Sequence, residues 1–130
     1  ENKEEQKIVK RFIYITGNSN AEGNLKRRAL ARKIANVSSW AANRGTIPIT
    51  TIPSEFMQCY GLEPINQRLH MIELICNIPE SKMWVISDDS GSIDDDLKVE
   101  IAFWCKIRGE KTGVSILPWK EWKKLIKQNP

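Results

Sequence analysis

Carboxylate side chains are concentrated in one stretch of the sequence, and they are its best candidates for chemistry. Asp88 and Asp89 follow an apolar run, Asp94-Asp95-Asp96 comes shortly afterwards, and Glu100 lies one helical turn further on. The three consecutive aspartates have a structural explanation, because acidic residues in the first turn of a helix interact favourably with its dipole. That explanation does not extend to Glu100.

Glu100 has the spacing of a residue that faces the protein rather than the solvent. It is four residues from both Asp96 and Trp104, so the three share one face of the predicted helix. A carboxyl group there would be partly desolvated, which raises its pKa and can serve catalysis. We therefore predict that Glu100 is catalytic, and an ordinary solvent-facing glutamate is the alternative.

A second candidate region follows the segment Tyr14-Ile15-Thr16-Gly17. Residues 17–24 are rich in glycine, asparagine and serine, which indicates a loop that leads into a helix. Amide groups at the start of a helix can bind phosphate. The glycines lack the spacing of a dinucleotide-binding motif or a phosphate-binding P-loop, so an ordinary strand-to-helix turn remains the alternative.

The sequence gives little support for a metal or a cofactor. Cys59, Cys76 and Cys105 are far apart, and His70 is the only histidine. These residues do not have the spacing of zinc ligands. No phosphate-transfer motif accompanies the aspartates, as it would at a magnesium site. We predict neither metal nor cofactor, and the unpaired cysteines favour a reducing cytoplasmic location.

The composition fits one ordinary globular domain spanning residues 1–130. The chain is 41% hydrophobic and 28% charged, and its net charge is +4. Apolar runs are too short to cross a membrane, and residues 1–7 lack the apolar segment of a signal peptide. A mild positive charge favours an anionic ligand, but it is not a strong nucleic-acid signal.

Strand and helix patterns alternate along the chain. Strands are predicted over residues 8–16, 46–50, 83–86 and 114–117, and helices over residues 25–43, 64–78, 94–108 and from Pro118 onward. This alternation predicts a parallel sheet with helices on both faces. Pro48 cannot donate a backbone hydrogen bond, which places the second strand at an edge and gives the strand order 2-1-3-4.

The predicted sheet has one preferred place for a ligand. In open parallel sheets, ligands bind beyond the carboxyl ends of the strands, where the strand order reverses. In the order 2-1-3-4 this point lies between strands 1 and 3. The loops at residues 17–24 and 87–92 should therefore meet there.

Several segments resemble the nucleoside 2-deoxyribosyltransferase-like superfamily, which includes many small phage and prophage proteins. Tyr14-Ile15-Thr16-Gly17 resembles the opening of that family, and residues 45–53 resemble its second strand and the following loop. Residues 84–88 and 98–102 are similar to its third strand and nucleophile helix. The resemblance implies a flavodoxin-like three-layer fold, a homo-oligomer, and cleavage or exchange of an N-glycosidic bond.

The resemblance also implies roles for individual residues. Glu100 matches the glutamate that attacks the anomeric carbon of a nucleoside or nucleotide, and Asp88 matches the acid that orients the substrate. The predicted substrate-binding residues are Tyr14, Gly17, Asn18, Ser19, Asp89, Ser90 and Gly91. Family members usually have a glycine where Asp94-Asp95-Asp96 stands here, so a non-catalytic nucleotide-binding module is an open alternative.

A second resemblance is to Toll/interleukin-receptor domains, whose enzymatic members use a helix glutamate to cleave NAD. Residues 65–78, the segment Val85-Ile86-Ser87 and the helix that contains Glu100 carry this similarity. It implies an NAD hydrolase as the alternative activity. For assembly, the apolar residues Phe56, Met57 and Tyr60 could reach a neighbouring subunit or fold back over their own sheet.

Overall fold

Strands and helices alternate strictly in the computed structural model, which describes residues 11–18, 24–51, 64–109 and 113–129. The strands are β1 (Arg11–Gly17), β2 (Thr46–Thr50), β3 (Lys82–Ser87) and β4 (Val114–Pro118). The helices are α1 (Asn24–Asn43), α2 (Pro64–Cys76), α3 (Asp95–Arg108) and α4 (Trp119–Gln128). The predicted order of elements is confirmed, and residues 8–10 of the first predicted strand lie outside the described ranges.

The four strands form one parallel sheet in the order β2-β1-β3-β4, as predicted. Strand β1 pairs with β3 from Ile13↔Lys82 to Gly17↔Ile86, so their carboxyl ends lie side by side. Pro48 lies in the edge strand β2, opposite Ile13 of β1. With helices packed on both faces, the chain has the three-layer α/β flavodoxin-like architecture.

Each face of the sheet has its own hydrophobic core, because successive side chains of a strand point to opposite faces. Ile13 and Ile15 of β1 pack with α1 and α4 on one face. Tyr14 packs with α2 and α3 on the other face. Strand β3 supplies buried residues to both cores, which explains why its sequence is a continuous apolar run.

The aspartates before Glu100 begin α3. Asp94 is the residue that caps the helix, and its side chain accepts a hydrogen bond from the backbone amide of Leu97 at 2.8 Å. Asp95 and Asp96 lie in the first turn, where they interact favourably with the helix dipole. The helix therefore starts one residue later than predicted, because Asp94 serves as its cap.

Within the described residues, no helix is both long enough and apolar enough to cross a membrane.

Candidate functional site

Asn18 joins the loops that follow β1 and β3. Its side-chain amide Nδ2 donates to the backbone carbonyl of Ser92 at 2.9 Å, and its Oδ1 accepts from the backbone amide of Asp94 at 3.0 Å. Asn18 therefore holds the loop between β3 and α3 at the carboxyl end of β1. The two loops expected to meet do so through this residue.

The loop after β3 is organised around the carboxylate of Asp88. Oδ1 of Asp88 accepts from the hydroxyl of Ser90 at 2.7 Å and from the amide of Ser92 at 2.9 Å. The Ser90 hydroxyl is the main reason that the pKa of Asp88 lies below its usual value. Gly91 has a positive φ of 85°, which a glycine adopts without strain. Asp88, Asp89, Ser90 and Gly91 are all exposed at this edge.

A cleft of about 440 Å³ opens between these loops and α1. Its apolar part includes Leu30 and Ile86, and Lys33 of α1 adds a positive charge. The remaining lining residues are Asn18, Ala29, Ser87, Asp88, Ser92, Ile93 and Asp94. The cleft thus has the apolar surface and the few polar groups that small-molecule sites combine. Glu100 is not among the described residues that line it.

Glu100 lies beneath this edge, on the sheet face covered by α2 and α3, and its side chain is 0% exposed. The hydroxyl of Tyr14 donates to Oε1 of Glu100 at 2.5 Å. The hydroxyl of Thr16 lies 3.1 Å from the same oxygen and 3.3 Å from Oε2. Tyr14 and Thr16 are alternate residues of β1, so both side chains reach the face on which α3 packs.

The second carboxylate oxygen faces a buried arginine. Nη1 of Arg68, on α2, is 3.7 Å from Oε2 of Glu100, and the arginine side chain is only 1% exposed. Sequence reasoning missed Arg68, although its spacing from Ile72 and Ile75 placed it on the apolar face of α2. It also missed Thr16, although side chains of alternate strand residues point to the same face and Thr16 therefore lies on the same face as Tyr14.

Burial raises the pKa of Glu100 from 4.5 to about 7, although the nearby positive charge of Arg68 and the hydroxyls of Tyr14 and Thr16 oppose the shift. The negative charge of Asp94 raises it further. Burial, followed by the charge of Glu100, raises the pKa of Tyr14 well above its usual value. At neutral pH, Tyr14 is therefore a protonated donor, and Glu100 exchanges between its protonated and ionised forms.

Gly17 has a structural reason to be glycine. A Cβ atom at this position would lie 2.7 Å from Cδ1 of Leu30 and 3.1 Å from the carbonyl oxygen of Ile86. The missing side chain lets α1 pack closely against the end of β1. The resemblance assigned this glycine to close approach of a substrate, and the geometry supplies a packing role at the same position.

Several other residues considered in the sequence either lie outside the described part of the chain or do not join a site. Ser19, Cys59 and the apolar residues Phe56, Met57 and Tyr60 fall in segments that the structure does not describe. His70 is exposed on α2. Across the described ranges, no three side chains of histidine, cysteine, aspartate or glutamate form a group that could hold a metal.

No protein-family model matches this sequence, and comparisons with curated proteins and with solved structures found no match either.

Proposed function

We propose that this protein binds a nucleoside or nucleotide at the carboxyl edge of its sheet and cleaves or exchanges the N-glycosidic bond, with Glu100 as nucleophile. The observation that carries the proposal is the environment of Glu100. It is a buried carboxyl group with a pKa near neutrality, held by Tyr14 and Thr16 beneath the loops joined by Asn18. Glutamates are rarely fully buried unless they are paired, as Glu100 is with Arg68. Carboxyl groups with perturbed pKa values near a cleft are enriched at functional sites.

The reaction balances with the residues available. An ionised oxygen of Glu100 attacks the anomeric carbon, and the electron pair of the breaking carbon–nitrogen bond goes to the base, which takes a proton from water. The resulting glycosyl ester is then attacked by water, which regenerates the carboxylate and releases a proton. Attack by the nitrogen of a second base gives exchange instead. Tyr14 and Thr16 hold the carboxyl group in place during both steps.

The nucleophile and the cleft are connected through α3. Asp94 lines the cleft at the start of the helix, and Glu100 lies six residues further on, about 9 Å along the axis at 1.5 Å per residue. Glu100 is fully buried on the sheet face opposite to α1. A substrate in the cleft therefore has to reach over the carboxyl ends of β1 and β3 and displace the side chains that cover Glu100. The proposal therefore requires that ligand binding uncovers this carboxyl group.

The test is covalent trapping of the sugar. Nucleosides with fluorine at the 2′ position of an arabino sugar slow both attack and hydrolysis, so a glycosyl-enzyme should accumulate. We expect the intact mass to increase by one fluorosugar and peptide mapping to place it on Glu100. Glu100→Gln should give no adduct, whereas Glu121→Gln, a control on α4, should react like the wild type. An adduct elsewhere, or turnover of natural nucleosides without any adduct, would contradict the proposed role.

A non-catalytic nucleotide-binding module is the second candidate, and one observation favours it. Glu100 is paired with Arg68 and lies outside the described lining of the cleft, as a purely structural carboxyl group would. Binding of nucleosides or nucleotides without any turnover is the outcome that selects this candidate. Release of nicotinamide from NAD would instead select the activity of Toll/interleukin-receptor enzymes.

Assembly and location complete the proposal. We include homo-oligomeric assembly, which is supported by the exposed apolar side chains of Leu74 on α2 and Val99 on α3. The free thiols of Cys76 and Cys105 support a reducing, cytoplasmic location.

A further inference from the structure

A second pocket lies at the opposite, amino-terminal edge of the sheet. It has a volume of about 260 Å³ and is lined by residues from β1, α1, β2 and β3. The candidate site described above is at the carboxyl edge, so the two are separated by the length of the strands. Nothing in the proposed reaction uses this second pocket.

Three positively charged side chains line this pocket, two from the first residues of strands and one from the turn after α1. Arg11 is the first residue of β1 and lies on the same face as Ile13. Lys82 is the first residue of β3 and lies on the same face as Trp84. Helix α1 covers that face, and the residues after its last turn bring Arg44 to the same pocket.

The pocket has an aromatic wall. The rings of Trp40 and Trp84 lie 5.8 Å apart, and the guanidinium of Arg44 lies 5.1 Å from the centre of the Trp40 ring. The indole nitrogen of Trp40 donates to the backbone carbonyl of Asn129 at 2.6 Å, which fixes the ring against the end of α4. The charged groups therefore lie at the exposed rim of an ordered apolar surface.

The charge of the lining is unbalanced. Among the described residues that line the pocket, Arg11, Arg44 and Lys82 are cationic and none is acidic. The nearby carboxylate of Glu80 is 3.8 Å from Nε of Arg11, and both side chains are about half exposed, so this pair is weak. One cation of the three has a nearby acid, and that acid is outside the pocket.

The carboxyl end of α1 does not account for these charges. Its last carbonyl groups would attract cations if they lacked donors. The carbonyl of Ala41 accepts from the amide of Arg44 and from the hydroxyl of Thr46, and the carbonyl of Ala42 accepts from the amide of Gly45. These carbonyls already have partners within the turn. Nη1 of Arg44 donates a long hydrogen bond of 3.5 Å to the backbone carbonyl of Asn129, which carries no charge. None of the three positive charges is therefore neutralised by a described residue of the pocket lining.

We propose that this pocket binds a phosphate group, carried either by inorganic phosphates or by a nucleotide. A guanidinium group binds two phosphate oxygens at once through parallel hydrogen bonds, and a lysine adds a compact positive charge. The indole wall excludes water from one side, which strengthens these contacts. The site is independent of the chemistry proposed for Glu100.

The experiment is a tryptophan-fluorescence titration with pyrophosphate at constant ionic strength. Trp40 and Trp84 line the pocket, so binding should give a saturable change in emission. Lys82→Gln should weaken binding about fivefold, and the double variant Arg11→Gln/Lys82→Gln about twentyfold, as expected for partly exposed charge contacts that add. Both residues are exposed at the ends of strands, so the variants should fold, and their circular dichroism spectra check this.

Lys123→Gln is the matched control, because it removes the same charge from an exposed position of α4 that does not line the pocket. It should bind pyrophosphate like the wild type. Absence of saturable binding would overturn the proposal. Equal weakening by Lys123→Gln would also overturn it, because the effect would then be one of net charge alone.

Adenosine monophosphate and adenosine distinguish the two sources of the phosphate. If the nucleotide binds with the same sensitivity to Lys82→Gln and adenosine does not compete with pyrophosphate, the pocket takes a nucleotide by its phosphate. If only the inorganic anions are sensitive to Lys82→Gln, it takes free phosphates. Both results keep the phosphate site, and neither depends on whether Glu100 is a nucleophile.

Discussion

Glu100 has two properties that oppose each other. Its ionised form is the nucleophile that the proposed reaction needs, yet its complete burial disfavours that form and raises its pKa to about 7. Part of the hydration that Glu100 loses on burial is replaced by an ion pair with Arg68 and by hydrogen bonds from the hydroxyls of Tyr14 and Thr16. A carboxyl group held at this cost to folding is typical of sites where function limits stability.

The stability of the protein should depend on pH through Glu100. In the unfolded chain Glu100 ionises near pH 4.5, whereas in the folded protein it ionises near pH 7. Between these values the folded state binds more protons, so its stability falls as the pH rises. Relative to Glu100→Gln, the wild type should lose on the order of 3 kcal/mol of unfolding free energy between pH 4 and pH 8. Urea unfolding of both proteins across this range measures the difference.

Glu121→Gln provides the control for that experiment. Glu121 is a partly exposed residue of α4 that lies 3.6 Å from Lys124. The difference in unfolding free energy between this variant and the wild type should stay nearly constant with pH. If the difference for Glu100→Gln is equally independent of pH, then burial among Tyr14, Thr16 and Arg68 does not shift the pKa of Glu100.

The charge of Arg68 should influence the pKa of Glu100. Its positive charge lowers the pKa of Glu100 against the effect of burial. Replacing it with an apolar residue of similar length, Arg68→Met, should therefore raise the pKa of Glu100 above 7, by about one unit or more. The carbon chemical shift of the labelled Glu100 carboxyl group, followed by NMR during a pH titration, measures this directly.

Arg68→Lys keeps the charge and should leave the pKa of Glu100 close to the wild-type value. An unchanged pKa in Arg68→Met would show that the ion pair has no electrostatic influence on Glu100.

At the scale of residues, Glu100 contacts Tyr14, Thr16 and Arg68. Of these four residues, the sequence identified Glu100 and Tyr14. Glu100 could be identified because its spacing from Asp96 and Trp104 places it on one helix face, and Tyr14 came from the resemblance. Arg68 could not be identified in the same way, because a buried arginine is rare and its burial results from the packing of α2 against α3. That contact joins segments far apart in the chain.

At the scale of elements, Asn18 connects the two loops of the candidate site. Asn18→Ala removes both hydrogen bonds that cross between them. We expect a loss of about 1–2 kcal/mol of unfolding free energy and faster hydrogen exchange at the amide of Asp94, which loses its acceptor. Amide exchange measured by NMR gives the local effect.

Asn77→Ala is the matched control for this loop contact. Asn77 directly follows α2 and donates one hydrogen bond to the carbonyl of Glu73 in the last turn of that helix. This substitution should change the stability by less than about 0.5 kcal/mol and leave the exchange of Asp94 unaltered. Equal exchange rates at Asp94 in Asn18→Ala and in the wild type would contradict the role of Asn18.

The packing of α1 against the end of β1 gives a further prediction. Gly17→Ala introduces a methyl group against Leu30 and the carbonyl of Ile86, and the carbonyl belongs to the sheet and cannot move far. We expect a loss of about 1–3 kcal/mol. Because Leu30→Ala removes part of the contact, the double variant should lose less than the sum of the two single variants in urea unfolding.

The element order was predictable because the apolar patterns of this chain change period from strand to helix without ambiguity. Pro48 was sufficient to place β2 at an edge, and from this the order β2-β1-β3-β4 followed. The start of α3 was displaced by one residue, because the capping role of Asp94 depends on its hydrogen bond to Leu97. The contacts of Asn18 across two loops are a property of the assembled sheet.

At the scale of the whole molecule, the two hydrophobic cores share the same central strands. Ile15 and Ile86 belong to one core, whereas Tyr14 and Val85 belong to the other. Loss of either core would therefore leave β1 and β3 covered on one face only. We expect a single unfolding transition, with coincident midpoints for far-ultraviolet circular dichroism and tryptophan fluorescence. Two separate midpoints would show that the cores unfold independently.

Light scattering tests the proposed assembly. A single chain has a mass of 14.9 kDa, so an oligomer should give a multiple of this value and a stability that rises with protein concentration. Replacing exposed Leu74 with lysine should shift the mass towards the single chain if α2 forms the contact. A mass of one chain at all working concentrations would contradict the proposal.

Pro48 also restricts how copies of this chain can meet. An open sheet edge offers unpaired backbone groups to any other strand, and this is a common route to aggregation. Strand β2 has only five residues with a proline at their centre, so an incoming strand cannot form an uninterrupted ladder with it. Pro48 therefore prevents copies of the folded chain from joining edge to edge into a continuous sheet through β2. An ordered assembly that forms on this side of the molecule has to use helices or loops.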